Sequence, residues 1–369
     1  MRITTRITGL AFAAACGALL ASSAVAQVRV LKVTNWAEYI AEDTIANFEA
    51  EYGIKVIYDT YDSAEAIDAK LLAGSSGYDV VLHSSGDAAR LIKAGIVAPL
   101  DMSKLDNVSH LDPAIMSQLA SDWDPGNKYL LPFMWGTHGV TYNKALVLET
   151  YPGAPIGSMD LIFDPEHIAK VDKCGVSFLD SPGDIIPMAL AYLDLDPNST
   201  NPDDYEAVGE MLAKIRPHIK TFDNYAYQRM PQKEFCISTT WGPDGLLAMS
   251  GAIEANTGVV LDFFVPEGQG KAQLWIDSWM IPADAGNVDD AHLFLNYMSR
   301  PEVGAADSNY TWYATANLTG KAMVDEDVTS SPAAFPTSAQ VALMYTTVSL
   351  PPKIKRLQTR TWTDFKAGN

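Results

Sequence analysis

Three short apolar runs separated by helical stripes constrain this chain more than any other feature. Residues 28–33 are β-branched and end at Asn35-Trp36, residues 54–58 form a second such run, and Tyr78-Asp79-Val80-Val81-Leu82 forms a third. Between them Ile45, Phe48 and Tyr52, and then Ala64, Ile67 and Leu71, recur at helical spacing. Gly53 stands where the first helix needs a left-handed C-cap, and Ser63 stands where the second needs an N-cap. The order strand–helix–strand–helix–strand predicts an α/β fold with a parallel sheet and helices on both faces.

The first 26 residues are read separately. Arg2 and Arg6 make a positive start, an apolar stretch runs from Leu10 to Ala21, and Ala24-Val25-Ala26 supplies a signal-peptidase pattern. Export is expected, with Gln27 beginning the secreted form. The apolar stretch is too short for a spanning helix, and Ala13-Ala14-Ala15 before Cys16 lacks the large aliphatic residue of a lipoprotein site. Residues 27–369 are long enough for two domains. A second lobe is expected from the strand-like stretch near Phe133 to Thr141 onward. It would hold the helical stripe Tyr205, Val208, Met211, Leu212 and Ile215 and the run Cys236 to Thr240. The 45 acidic residues against 26 basic ones disfavour nucleic acid and suit cationic small molecules, although acidity is also common among secreted proteins. In an oxidising compartment the isolated pair Cys174 and Cys236 reads as a disulfide before a metal site or nucleophile, provided the fold brings the two together.

Ligands of open α/β sheets lie beyond the carboxyl ends of the strands. That singles out Trp36 and Glu38, Ser84 and Asp87, Trp241 and Asp244, and Trp275 and Asp277. Three of these places join an indole to a carboxylate: Trp36-Ala37-Glu38-Tyr39, Trp241-Gly242-Pro243-Asp244 and Trp275-Ile276-Asp277. Taken singly, a strand-end Trp also serves core packing and a strand-end Asp also serves as a cap. Together they suit a linear amine, because an ammonium leaving water needs a carboxylate and its methylenes favour aromatic faces. The dispersed histidines (His83, His110, His138, His167, His218 and His292) show no zinc spacing, and no nucleophile elbow or phosphate loop follows a strand. No metal or cofactor is expected. A secreted hydrolase using Asp244 and Asp277 as acid and base stays open at this point.

Asn35-Trp36-Ala37-Glu38-Tyr39-Ile40 resembles the opening of bacterial periplasmic putrescine- and spermidine-binding proteins. Similar stretches are Gly74 to Val81, Asn127 to Asn143, Cys174 to Asp180, Asp196 to Thr200, Ile281 to Ala285 and Arg360 to Trp362, so the likeness spans nearly the whole chain beyond the leader. The resemblance implies a type II periplasmic binding fold of two α/β lobes joined by a two-strand hinge. Residues 28–134 plus 255–309 would form the first lobe and residues 135–254 plus 310–369 the second. It implies a Cys174–Cys236 disulfide, a monomer in the periplasm, no enzymatic activity, and delivery of a di- or polyamine to an ABC permease in the inner membrane. It also implies ligand contacts from Trp36, Glu38, Tyr39, Ser84, Asp184, Trp241, Asp244, Trp275, Asp277 and Tyr313, with Ser85, Asp87 and Ser181 as further candidates.

Several positions depart from the family pattern. Glu38 and Trp275 are similar to spermidine-type members, but Ser181 stands where those carry an aspartate. Gly86 and Asp87 replace a polar or aromatic residue followed by an aromatic one, and Val348 replaces a polar residue. Asp87 would add a carboxylate to the site or cap the next helix. The amine therefore stays open among putrescine, cadaverine, agmatine, spermidine and homospermidine. The alternative is a protein of the same fold that takes another cationic metabolite or an amino acid.

Overall fold

The computed structural model describes residues 29–368 together with Met1, so the expected leader and its cleavage site lie outside the described residues. The first three strands are β1 (Arg29–Trp36), β2 (Ile54–Tyr61) and β3 (Val80–Ser84), with helices α1 (Thr44–Tyr52), α2 (Ala64–Leu72) and α3 (Ser85–Lys93) following them in turn. Local chemistry sets their ends as the sequence suggests. Gly53 closes α1 at φ 63°, and the Ser63 side chain accepts from the Ala66 N–H to open α2. β1 pairs in parallel with both β2 and β3.

The remaining strands are β4 (Val97–Ala98), β5 (Leu131–Asn143), β6 (Val176–Phe178), β7 (Thr221–Phe222), β8 (Ile237–Trp241), β9 (Leu261–Phe264), β10 (Leu274–Pro282) and β11 (Ala314–Thr315). The main path of the sheet is β2-β1-β3-β10-β5-β8-β6-β7. The sheet is mixed and not purely parallel, because β10 enters antiparallel to both β3 and β5. The 13-residue β5 is buried along its whole length and joins the two halves. Its residues Leu131 to Thr137 pair with β10, whereas His138 to Tyr142 pair with β8. β9 pairs with the second half of β5, between Val140 and Asn143.

Each half encloses apolar side chains. Leu31, Val33, Phe48, Val80, Trp279 and Phe294 pack around the first three strands, with the Phe48 and Phe294 rings edge to face at 5.2 Å. Phe163, Phe178, Ile185, Tyr205, Leu212 and Trp362 pack around β6 and β8. Burial of each such side chain contributes about 1.5–3 kcal/mol, which holds the strand ends in place. In the second half Cys174 and Cys236 form a disulfide with Cα atoms 5.5 Å apart. The bond closes a loop of 62 residues, for which loop-closure entropy gives a stabilisation of about 4 kcal/mol. Replacing both cysteines by serine is expected to lower the thermal midpoint by several degrees. An unchanged midpoint in scanning calorimetry would contradict that role.

Candidate functional site

Three acids occupy equivalent places in the fold. Asp87 lies in the first turn of α3, which follows β3. Asp184 lies in the first turn of the helix Pro182–Tyr192, beyond β6, and Asp244 in the first turn of the helix Gly242–Glu254, after β8. A carboxylate at a helix start faces the positive end of the macrodipole, so acids at these strand ends are locally favoured. Asp277 comes instead from within β10, where it registers with Ser84 across to β3 and with Met134 across to β5. A bulge between Asp277 and Ser278 interrupts the β5 pairing at that point.

Two of these acids form matching pairs with tyrosines. The Tyr39 hydroxyl donates to Asp277 Oδ2 at 2.9 Å, and the Tyr313 hydroxyl donates to Asp244 Oδ1 at 2.9 Å. The two tyrosine rings meet edge to face at 4.9 Å, which links the pairs into one cluster. Burial raises Asp277 to about 7, against the pull of the Tyr39 hydrogen bond and of His83, while Asp184 and Asp87 push it further up. Burial likewise raises Asp244 to about 7, opposed by the Tyr313 hydrogen bond and reinforced by Glu38. Among the described residues, the groups that shift the two carboxyls include no lysine or arginine. In this cluster burial outweighs every attraction on the two carboxyls, so both titrate far above the ordinary carboxylate range.

Indoles wall this cluster. The Trp275 ring lies 5.6 Å from that of Tyr313, and the Trp36 ring packs at 4.3 Å on Tyr61 and 6.1 Å from His83. Trp241 ends β8 opposite His138 of β5 and leads into the helix carrying Asp244. Trp275 sits against Gly136, where a Cβ would fall 2.4 Å from the indole Cζ2. Gly136→Ala is therefore expected to push the indole out of place and weaken ligand binding at least tenfold. Binding calorimetry showing unchanged affinity would exclude that effect.

The structure places the other sequence-derived candidates unequally. Glu38 has a positive φ of 56°, is exposed, and accepts from the Tyr227 hydroxyl at 3.1 Å, which sets it at the rim. Ser84, and not Asp87, is the N-cap of α3. Its Oγ accepts from the Asp87 N–H at 3.4 Å and lies 3.1 Å from Asp87 Oδ2. The expectation that Asp87 caps the helix is corrected, because the third residue of the first turn donates its N–H to the cap. Ser85 is fully buried and bonds to Ser278 at 2.9 Å, so its hydroxyl is engaged in the interior. Ser181 begins the helix that carries Asp184, with no cap hydrogen bond from its side chain. Gly86 lets the Thr347 carbonyl approach, since a Cβ there would lie 3.1 Å from that oxygen. Val348 is exposed, and its N–H donates to Asn198 Oδ1 at 2.8 Å.

Supporting residues emerge that strand-end reasoning does not reach. Asp307 is fully buried, and its Oδ1 accepts from the Ala41 N–H at 2.9 Å and the Thr44 hydroxyl at 2.7 Å. It pins the turn that presents Glu38 and Tyr39, and burial raises its carboxyl to about 7. His83 is also fully buried. Its Nδ1 accepts from the Ser84 N–H at 2.8 Å, which leaves Nε2 facing Asp68 at 3.3 Å and fixes the backbone at Ser84. Tyr61 was within reach of the sequence, because parallel pairing puts it opposite Trp36 at the same strand end.

A mixed α/β sheet whose long central strand joins two halves, with aromatic and acidic side chains gathered at the strand ends, defines the class of extracytoplasmic solute-binding proteins. Comparison with known proteins places the chain within it. Residues 43–337 match the model of the bacterial extracellular solute-binding protein family, and the chain belongs to that family. It is 41% identical to the putrescine-binding periplasmic protein PotF of Escherichia coli K12 over 95% of this chain and 96% of that one. It is 40% identical to the putrescine-binding periplasmic protein SpuD of Pseudomonas aeruginosa, again over 95% and 96%. Among solved structures it resembles the spermidine/putrescine ABC transporter substrate-binding protein PotD of Streptococcus pneumoniae, with a TM-score of 0.75 and 26% identity over 92% of this chain and 99% of that one.

Proposed function

We propose that this protein captures a linear di- or polyamine in the cleft lined by Asp277, Asp244, Trp36, Trp275 and Tyr313, and passes it to an ABC permease. The observation that carries this reading is the pair of buried carboxyls, each held by a tyrosine hydroxyl and each without a lysine or arginine partner among the described residues. A ligand bringing two ammonium groups would supply the missing charge, and the surrounding aromatic faces suit its methylenes. The names of the similar proteins agree with that chemistry. Membership in a solute-binding family makes the chain a transporter component and not an enzyme, so the hydrolase reading is set aside.

The finer picture follows from the same reading. Residues 1–26 would be removed on export, and the protein would act as a periplasmic monomer serving an inner-membrane permease. We divide it into two lobes that close on the ligand by bending near Thr137 and His138, where β5 changes partners from β10 to β8. The pairing of β9 with the second half of β5 favours moving residues 261–264 from the first lobe to the second. Glu38, Tyr39, Ser84, Asp184 and Trp241 would complete the ligand contacts, while Ser85 would serve the interior.

A thermal-shift panel of putrescine, cadaverine, agmatine, spermidine and homospermidine tests the proposal. A ligand at 100 times its Kd stabilises the native state by about 2.7 kcal/mol. At least one amine should therefore raise the thermal midpoint clearly. A panel in which no amine shifts it, while an amino acid does, would overturn the assignment.

A further inference from the structure

The contact between Tyr227 and Glu38 spans the molecule at the rim of the cleft. Tyr227 lies in the short helix Ala226–Arg229, between β7 and β8, and its hydroxyl donates to Glu38 Oε2 at 3.1 Å. Glu38 follows β1, so this bond ties the β1 side of the sheet to the β7 side. Gln228 Nε2 donates to the same hydroxyl at 3.0 Å, which leaves Glu38 as the acceptor of the phenolic proton. Burial raises the phenol to about 12, opposed by Gln228 and reinforced by Glu38 and Asp244, so the proton stays in place at neutral pH. Glu38 is itself held at φ 56°, a left-handed conformation uncommon outside glycine, in the turn that Asp307 pins through the Ala41 N–H. Asp244 feels the charge of Glu38 and Tyr227 feels that of Asp244, which sets the pair over the buried Asp244–Tyr313 bond. Beside Tyr227 is a cavity of about 360 Å³ that Leu247, Gly251, Glu254 and Trp312 also line.

We propose that Tyr227 is a positioning residue that governs ligand release: its hydroxyl fastens Glu38 across the mouth of the cleft once the ligand has entered, and this bond must break before the ligand leaves. The inference rests on the capture reading above and goes beyond it by assigning the rate of escape to a residue that acts through Glu38. Local chemistry fits Tyr227 for that work. Its hydroxyl has a donor and an acceptor within the protein, so the phenol is already oriented toward Glu38. Glu38 and Gln228 are both exposed, so water replaces the bond at little cost when the mouth opens. The bond therefore adds little to the unliganded fold. The cavity beside the ring gives it room to turn away from Glu38, so that opening leaves both apolar cores packed. A contact made only after entry leaves the association rate unchanged and slows dissociation.

Stopped-flow association and dissociation rates test the assignment, with the amines of the thermal-shift panel as probes, on the wild type, Tyr227→Phe, Glu38→Gly and the double variant. Phenylalanine keeps the ring and removes only the hydroxyl, and glycine suits the φ of 56° at position 38. Thermal melts confirm that each variant folds. For each amine that binds, Tyr227→Phe should raise the dissociation rate by roughly fivefold or more, as loss of a hydrogen bond to a carboxylate requires. The association rate and the unliganded melting midpoint should stay as in the wild type. In the Glu38→Gly background the same substitution should change dissociation no further, because contacting residues couple in a double-mutant cycle. An unchanged dissociation rate in folded Tyr227→Phe, or an equal increase with and without the Glu38 side chain, overturns the inference while amine capture stands. A slower association rate with dissociation unmoved also overturns it, since Tyr227 would then serve entry. Failure of the wild type to bind any amine of the panel overturns the capture reading itself and this inference with it.

Discussion

Replacing Asp277 by asparagine should weaken amine binding by two to three orders of magnitude while leaving the unliganded protein at least as stable as before. Removing one partner of a buried ion pair costs about 3–5 kcal/mol, and each 1.4 kcal/mol is a factor of ten in Kd. Asparagine has nearly the same shape, so its side-chain oxygen can still accept the Tyr39 hydroxyl that now bonds to Asp277 at 2.9 Å. What disappears is the charge. Without ligand that charge is a burden, because burial raises the carboxyl to about 7. Above that pH the wild type must hold an anion in a desolvated place, and the neutral variant need not. The expected pattern therefore pairs a large loss of affinity with an equal or higher melting temperature. Calorimetry and a thermal melt on the same samples read both quantities. Unchanged affinity would remove Asp277 from the site, and a collapsed melting temperature would make its role structural.

The parts of this protein that were legible in its sequence are those set by neighbours in the chain. Gly53 and Ser63 end and begin their helices as local chemistry requires, and the first three strands pair in parallel as their spacing suggests. Indole–carboxylate pairs marked Asp244 because it follows the end of β8, where such folds expose side chains, whereas Trp275 and Asp277, expected beyond a strand end, lie within the first half of β10. What the sequence left out depends on distant partners. β10 lies between β3 and β5 although it follows them by more than a hundred residues, and no local pattern announces an antiparallel insertion. Asp307 was silent because its work is done on Ala41 and Thr44, on the far side of the chain order. His138 was one scattered histidine until β5 and the helix Pro182–Tyr192 brought it to Asp184. Asp87 was misread as a cap for a smaller reason: the cap lies three residues earlier, at the last residue of β3.

Binding and stability should respond to pH with opposite signs. Asp244 and Asp277 both have carboxyls raised to about 7, and an ammonium ligand binds the ionised forms. With two such groups, the fraction of protein carrying both charges falls about 100-fold between pH 8 and pH 6. The amines themselves stay protonated throughout, since alkyl ammonium groups lose their protons near pH 10. Affinity should therefore fall about 100-fold over that interval. Near pH 7 binding should also release about one proton in total, visible as a dependence of the calorimetric enthalpy on the buffer. Asp277→Asn should remove about half of that release. Unliganded stability runs the other way. For an acid whose folded pKa exceeds its unfolded value, the native state holds more protons between the two. These groups therefore stabilise the fold at low pH and lose that contribution as pH rises from about 4 toward 7. Asp307, also raised to about 7, adds to the stability trend. Titrations at pH 6, 7 and 8 with matched melts would separate the two trends. A Kd independent of pH over that range would mean that Asp244 and Asp277 are already ionised at pH 6, and that the cleft is far wetter than its burial implies.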